Sequence, residues 1–494
     1  MKKNKIPKKN NTSNFISFIK KTEQKKDLLL IIIFYVLAFI ILKYLYPYPD
    51  GISDSGSYVA AAYNQVYDGY RPFGYSRFLI QVHNFSSSIS FLVFVQYFIN
   101  VIASIYFIFT LKYFFAPKNK YIFIGMLIVS LCSILTIYLT NSVLSDSLFS
   151  SLTIFWVTFN MWFIRNQKVF IKAGLLFLIF VTLYFLVSLR YTGVIYFMIE
   201  LFLILYLLLR QNKILALIAS FVLFTIIINF YTDQVILTKK QTEIKTFTGF
   251  SGWQSANNAL HVLPYIKFDK NKIENESFAE FALYAKSVDT LFVVDRTTAS
   301  FMWDKNLPLK QYLFNTINKN GWPYIKAWTS LGKNEYGEFG KYVMLNYPWE
   351  YLRYFLMLNS IGVFYPKGDQ LYLSYNPNAI PPELLEKWFE IKPGINLYSR
   401  SKIIEKISPG FAKLRLLIWI LVFFSIVLLF IKKIWIHLSK VNLYTLIFIV
   451  FFLLIYTIFH IYATPFEIRY IVPVHLVQIA IIYIALNESL KEKK

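Results

Sequence analysis

LLLIIIFYVLAFIILKYLY, residues 28–46, is apolar throughout except for Lys43 near its end. A helix of roughly 20 such residues crosses the ~30 Å hydrocarbon layer of a bilayer. A signal peptide would have a shorter apolar region and a small-residue cleavage site, whereas this run is long and leads into Pro47-Tyr48-Pro49, so it reads as a retained first helix. Ahead of it, Lys2, Lys3, Lys5, Lys8, Lys9, Lys20, Lys21, Lys25 and Lys26 stand against Glu23 and Asp27, a basic tail that orients the run.

The whole chain extends this reading. Of its 494 residues 56% are hydrophobic and 16% charged, with mean hydropathy +0.48; soluble domains carry about 25% charged residues. Further apolar runs of spanning length lie at 89–115, 121–139, 143–164, 173–189, 192–209, 214–231, 414–431, 443–460 and 470–486. The expected fold is an all-α polytopic membrane protein of about ten helices. The single cysteine, Cys132, lies within an apolar run and permits neither an intrachain disulfide nor a cysteine-based metal site.

Sidedness follows from Lys and Arg. With the N-terminal tail cytoplasmic, the connections on that side carry Lys112, Lys118 and Lys120, then Arg165, Lys168 and Lys172, then Arg210 and Lys213, then Lys432, Lys433 and Lys440, and last Lys491, Lys493 and Lys494. The short outer connections hold little beyond Arg71, Arg77, Arg190 and Arg469. The expected organisation is a cytoplasmic tail 1–27, seven spans within 28–231 with a first outer loop at 47–88, an extracytoplasmic segment 232–410, three spans within 411–487, and a cytoplasmic tail 488–494. The net charge of +24 is thereby assigned to anionic membrane lipids, at roughly 1 kcal/mol per lysine near the surface, and not to nucleic acid.

Segment 232–410 is polar and carries Trp253, Trp303, Trp322, Trp328, Trp349 and Trp388. Turn signals at Gly321-Trp322-Pro323, Tyr347-Pro348, Pro381-Pro382 and Pro393-Gly394 divide it into short helix-like pieces. It is long enough for a small, mixed or mainly helical domain. The chain has no internal repeat, which argues against an inverted-repeat transporter.

The polar residues of the outer connections form four clusters. Tyr48-Pro49-Asp50-Gly51-Ile52-Ser53-Asp54-Ser55-Gly56-Ser57-Tyr58, followed by Gly69-Tyr70-Arg71-Pro72-Phe73-Gly74-Tyr75, holds Asp54, which suits either the N-cap of a helix starting near Ser55 or a general base. Ser145 and Asp146 open the fourth span and either favour its N-terminus electrostatically or belong to a site. Arg190, in Leu189-Arg190-Tyr191-Thr192-Gly193, and Arg469, in Glu467-Ile468-Arg469-Tyr470, either snorkel to lipid phosphates or hold a phosphate group. Four clusters on one surface, with carboxylates beside arginines, suit a substrate with a hydroxyl to activate and a phosphate to stabilise as it leaves.

Asp54-Ser55-Gly56-Ser57-Tyr58 with Ala60-Ala61-Ala62, Arg71-Pro72-Phe73-Gly74-Tyr75, Ser145-Asp146-Ser147-Leu148, Leu189-Arg190-Tyr191-Thr192-Gly193 and Arg469-Tyr470-Ile471-Val472-Pro473 resemble motifs of the integral-membrane glycosyltransferases of the GT-C superfamily. The nearest groups are the protein mannosyltransferases and the aminoarabinose transferases of lipid A. The chain departs from the pattern at Ser55, where many members have a second acid, and at Ser76, where a proline is frequent.

The resemblance implies an inverting transfer from a polyprenyl-phosphate-linked sugar to a hydroxyl of a glycan, lipid or protein, with Asp54 as base and Arg190 and Arg469 on the donor phosphate. Tyr58, Arg71, Tyr75 and Ser145 accompany these residues in the motifs, and Asp146 supports the site or ligates a divalent metal, the one candidate cofactor. Glu200, an intramembrane carboxylate, either functions or pairs with a polar group on a neighbouring helix. Trp253, Gln254 and Asn257 form a candidate sugar or acceptor subsite, or part of an interfacial aromatic belt. His83, His261, His437, His460 and His475 show no ligand spacing. The alternatives are a polysaccharide polymerase or ligase, which should have an arginine-rich long loop where this chain has only Arg296, Arg353 and Arg400, and a lipid or glycan flippase, which should break its spans at the midplane. Lys, Asn and Ile usage fits a bacterial inner membrane.

Overall fold

The computed structural model describes residues 15–46, 49, 54–66, 71–131, 134–166, 168–208, 212–267, 273–274, 276–288, 298–366, 382–391 and 402–490. Lysines 2–9 and 491–494, Tyr48, Asp50-Gly51-Ile52-Ser53, Gly69-Tyr70, Cys132, Arg210, Arg296, Pro381, Pro393-Gly394 and Arg400 lie outside the described residues.

Among the described residues the chain is helical, with no strand. Helix α1 (Thr22–Leu45) is followed by two short helices of the first loop, α2 (Ser55–Asn64) and α3 (Gly74–Phe85), and by α4 (Ile89–Phe114). Then come α5 (Lys120–Leu131), α6 (Ile134–Thr140), α7 (Ser145–Arg165), α8 (Val169–Leu189), α9 (Val194–Leu208) and α10 (Lys213–Thr242). A run of shorter helices follows: α11 (Phe250–Leu260), α12 (Ala279–Ser287), α13 (Pro308–Asn320), α14 (Tyr324–Lys333), α15 (Glu335–Asn346), α16 (Met357–Phe364) and α17 (Pro382–Phe389). The chain ends with α18 (Lys402–Ile431), α19 (Lys440–Ala463), a 3-10 segment Ile468–Val474 and α20 (His475–Ser489).

Among the described residues eight helical stretches are long and apolar enough to cross a membrane. Two of the ten expected runs include residues outside the described ones. Run 121–139 is helical over Lys120–Leu131 and Ile134–Thr140, and run 192–209 over Val194–Leu208. Helix α10 continues past residue 231 to Thr242, because Thr232, Asp233 and Gln234 do not break a helix; Glu243, at φ 63°, ends it.

Burial ranks the spans. The apolar windows of α7 and of Ile468–Ser489 are 78% and 83% buried, against 17% for α1 and 22% for α10. The central α7 is rich in small hydroxyl residues whose side chains bond back to the helix, Ser151 to the Ser147 carbonyl at 2.8 Å and Thr158 to that of Ile154 at 2.7 Å. Small, internally satisfied side chains let neighbouring helices approach closely in lipid. At the basic end of the bundle, Lys112 is paired with Asp27, and Arg165 donates to Asn442 at 3.1 Å.

A second hydrophobic cluster gathers Trp253, Phe281, Trp328, Tyr336 and Phe339 from α11, α12, α14 and α15. Gly252 makes this packing possible, since a Cβ there would lie 1.6 Å from the Gly332 carbonyl oxygen. Helix α17 instead joins the bundle, its Trp388 stacked on His83 of α3 at 4.2 Å.

Candidate active site

Asp54 occupies the N-cap position of α2, but its side chain caps nothing. The orphan amide role is left unused, and the carboxylate turns to two guanidinium groups. Arg71 Nη2 is 2.8 Å from Oδ1 and Arg469 Nη1 is 3.2 Å from Oδ2. Arg71 also donates to the Asp54 carbonyl at 3.2 Å and to Ser57 Oγ at 2.9 Å, which clamps the start of α2 to the loop before α3. Gly74 opens α3 where a Cβ would stand 2.3 Å from the Ser188 carbonyl oxygen. The Arg71 loop is thereby pressed against the end of α8, two residues from Arg190.

Asp146, in the first turn of α7, pairs with Arg190, the residue that ends α8 in extended conformation. Its second oxygen lies 3.7 Å from Arg469 Nη1. Arg469, in the 3-10 segment, also donates through Nε to Glu467 at 2.6 Å. The result is one continuous chain of alternating charge, Arg71, Asp54, Arg469, Asp146, Arg190, drawn from five separate elements. The arginine side chains are only 13–18% exposed, so none of them reaches outward as a snorkelling anchor would.

Burial alone would push the Asp54 carboxyl up; Arg71, Arg469 and Arg190 outweigh it and hold the group well below the usual carboxylate range. Tyr58 supports this corner. Its hydroxyl is 3.1 Å from Ser145 Oγ, its ring lies 5.0 Å from the Arg71 guanidinium carbon, and Tyr75 packs edge-on against it at 4.8 Å. Tyr75 is fully buried and donates to Gln96 at 2.8 Å, and Gln96 in turn binds the carbonyls of Thr140 and Ser142. Tyr75 and Ser145 therefore stand behind the charged residues rather than on the cavity surface.

Four of these five charges, all but Asp146, form the floor of a cavity of about 720 Å³. Asp54, Tyr58, Arg71, Arg190, Arg469 and Tyr470 line it from the bundle, and Phe250, Gln254, Trp303, Lys333, Glu338 and Lys341 from the second cluster. Its size falls within the roughly 300–1,000 Å³ of small-molecule sites.

Three further expected residues serve the packing or a separate helix contact instead. Trp253 is completely buried; Trp328 stacks on it at 5.4 Å, Tyr336 meets it edge-on, and its indole donates to the Trp328 carbonyl, so neither face is open to a sugar. Asn257 is used structurally, accepting from the Met302 amide at 3.2 Å and donating to the Thr298 carbonyl at 3.3 Å. Glu200 accepts from Trp156 Nε1 and Asn160 Nδ2 of α7 at 3.0 and 2.9 Å, apart from the cavity. It pairs with polar groups of a neighbouring helix.

Glu467, His460, Tyr470 and Trp303 also line the cavity, and none stood out in sequence. Glu467 carried a usable signal, an acid two residues before a membrane-end arginine. The available face belongs to Trp303, which is 45% exposed; nothing in the local sequence distinguishes it from Trp253.

Among the described residues no group of three or more His, Cys, Asp and Glu could hold a metal ion. The four carboxylate oxygens of Asp54 and Asp146 all face guanidinium groups, an arrangement that suits an incoming anion and does not fit a divalent cation. No family model, curated protein or solved structure matches the chain.

Proposed function

We propose that the chain is a membrane glycosyltransferase of the GT-C type. In this reading it has about ten spans, an extracytoplasmic helical segment over its site, and both termini on the cytoplasmic side of a bacterial inner membrane. It moves a sugar from a polyprenyl-phosphate donor to a hydroxyl of a glycan, lipid or protein at the outer face. The observation that carries this reading is the alternating chain of three arginines and two aspartates, of which the arginines and Asp54 line the cavity.

In the resting site each arginine is neutralised by a carboxylate, and doubly paired Asp54 is a weak proton acceptor. A donor phosphate offers Arg190 and Arg469 several oxygens in the planar geometry that guanidinium groups prefer. As Arg469 turns to the phosphate, Asp54 loses one of its two partners and its carboxylate becomes more basic. The acceptor oxygen attacks the anomeric carbon on the face opposite the phosphate. The new C–O bond forms as the bond to the phosphate oxygen breaks, and the electron pair stays on the phosphate. The acceptor proton passes to Asp54, and the configuration inverts. Arg190 and Arg469 stabilise the charge that develops on the departing phosphate. Phe250, Gln254 and Trp303 offer the acceptor aromatic faces and an amide from above.

The test is transfer by the purified protein from radiolabelled polyprenyl-phosphate sugars to candidate acceptors. Labelled product from the wild type, absent with Asp54→Asn, supports the reading. Passage of intact donor across a vesicle membrane with no bond cleaved would identify a flippase instead.

A further inference from the structure

Arg415 lies in α18, within the spanning stretch Gly410–Ile431, and is 5% exposed. Its Nη1 is 2.8 Å from His475 Nδ1 and its Nη2 donates to Gln478 Oε1, two uncharged acceptors on α20. Among the described residues no carboxylate forms an ion pair with it. Arg415 Nε and Gln478 Nε2 are buried without a hydrogen-bond partner. The cluster therefore holds a positive charge and buried N–H donors but, among the described residues, no carboxylate. Removing an unpaired cation from water costs several kcal/mol, and Lys112, Arg190 and Arg469 each have a carboxylate where Arg415 has none.

Arg415, His475 and Thr136 line a cavity of about 140 Å³ whose other walls are apolar, among them Ile128, Leu135, Leu414, Ile418 and Val472. Ile128 and Leu414 are 56% and 42% exposed. Both belong to apolar helices, so the opening lies on a flank of the bundle that meets lipid.

We propose that this cavity binds the anionic head group of a membrane lipid, with Arg415 as its counter-charge and the acyl chain lying over Ile128 and Leu414. Apolar walls and an opening toward the bilayer favour a lipid over a soluble anion. The site is distinct from the Asp54 cavity but shares a wall with it. Ile468, Ile471 and Val472 face the lipid pocket, while Glu467, Arg469 and Tyr470 face the large cavity. A bound head group thus braces the segment that carries Arg469. This site stands independently of the reaction proposed above.

The experiment compares full-length protein in phosphatidylcholine nanodiscs with the same discs doped with dioleoyl phosphatidic acid. Native mass spectrometry reads retained lipid, and thermal unfolding reads stabilisation. The wild type should retain phosphatidic acid and unfold at higher temperature with it. Arg415→Met should bind it about tenfold or more weakly, the scale of one lost charge-assisted contact. Arg415→Lys should keep most of the binding, and Lys432→Gln, at a remote basic connection, all of it. If Arg415→Met does not fold, Ile128→Trp, which fills the mouth of the cavity, must lose the retained lipid instead. Equal retention by the wild type and Arg415→Met, or none by the wild type, overturns the site. An equal stabilisation by inorganic phosphate without anionic lipid overturns the lipid as its occupant.

Discussion

Replacing Asp54 with asparagine separates a reacting group from a merely structural one. Asparagine keeps an oxygen for Arg71 to bind but removes the charge and the proton acceptor. Turnover should fall by roughly 10²–10⁴-fold, the usual worth of general-base catalysis. Donor affinity should move the other way. At an effective dielectric of about 20, a unit charge 3.2 Å from Arg469 has a gross attraction of roughly 5 kcal/mol. If desolvation and screening leave about a quarter of that, the freed arginines gain more than 1 kcal/mol for an incoming phosphate, about tenfold in Kd. The assay pairs turnover of a labelled polyprenyl-phosphate sugar with the Kd of a non-cleavable phosphonate analogue. Stability adds a pH signature. Because the carboxyl is held below its unfolded value of about 3.9, its contribution is fully present above that pH and lost as pH falls through the folded value. Wild type and Asp54→Asn should therefore differ near neutrality and converge in acid. Parallel loss of turnover and analogue binding, or wild-type turnover, would refute the reasoning.

Arg469→Lys retains charge without the planar fork and should raise the donor KM by about tenfold, with Arg469→Ala worse and the unfolding temperature changing less than activity; an unchanged KM removes Arg469 from the phosphate. Glu200→Gln preserves the acceptor that Trp156 and Asn160 use, so activity should stay within about twofold and stability should hold or rise; a hundredfold loss of turnover would assign Glu200 a proton. On a Cys132→Ser background, a cysteine placed at Ser330 should react with an impermeant label from outside and one at Asn119 should not, following the Lys and Arg bias. The opposite pattern would move the Asp54 cavity to the cytoplasmic side.

The membrane character and the charged floor of the cavity were legible for one reason: charge in an apolar chain is costly and stands out. Asp54, Arg71, Asp146, Arg190 and Arg469 all sit in the outer loops or at the outer ends of apolar runs, and folding brings them together. What sequence could not resolve was orientation within the polar segment. Trp253 and Trp303 read alike, and only the Gly252–Gly332 approach decides which is entombed. Helix ends were also hidden, since α10 continues through the polar Thr232, Asp233 and Gln234, beyond the end of its apolar run. Arg415 fell one residue inside an expected span and was masked by Leu414, Leu416 and Leu417 around it.

The order of charges in the ion-pair chain bears on when its pairs can form. Each arginine has a carboxylate of its own, Asp54 for Arg71, Asp146 for Arg190 and Glu467 for Arg469. The first two couples belong to the early part of the chain, and neither needs the last span to form. Helix α7, the least hydrophobic of the spanning helices at a mean hydropathy of 1.4, is the one most dependent on partners to stay inserted. Arg469 arrives last, already neutralised from within its own segment, and only then bridges Asp54 to Asp146. The complete chain of charges therefore cannot exist until the last span has been made.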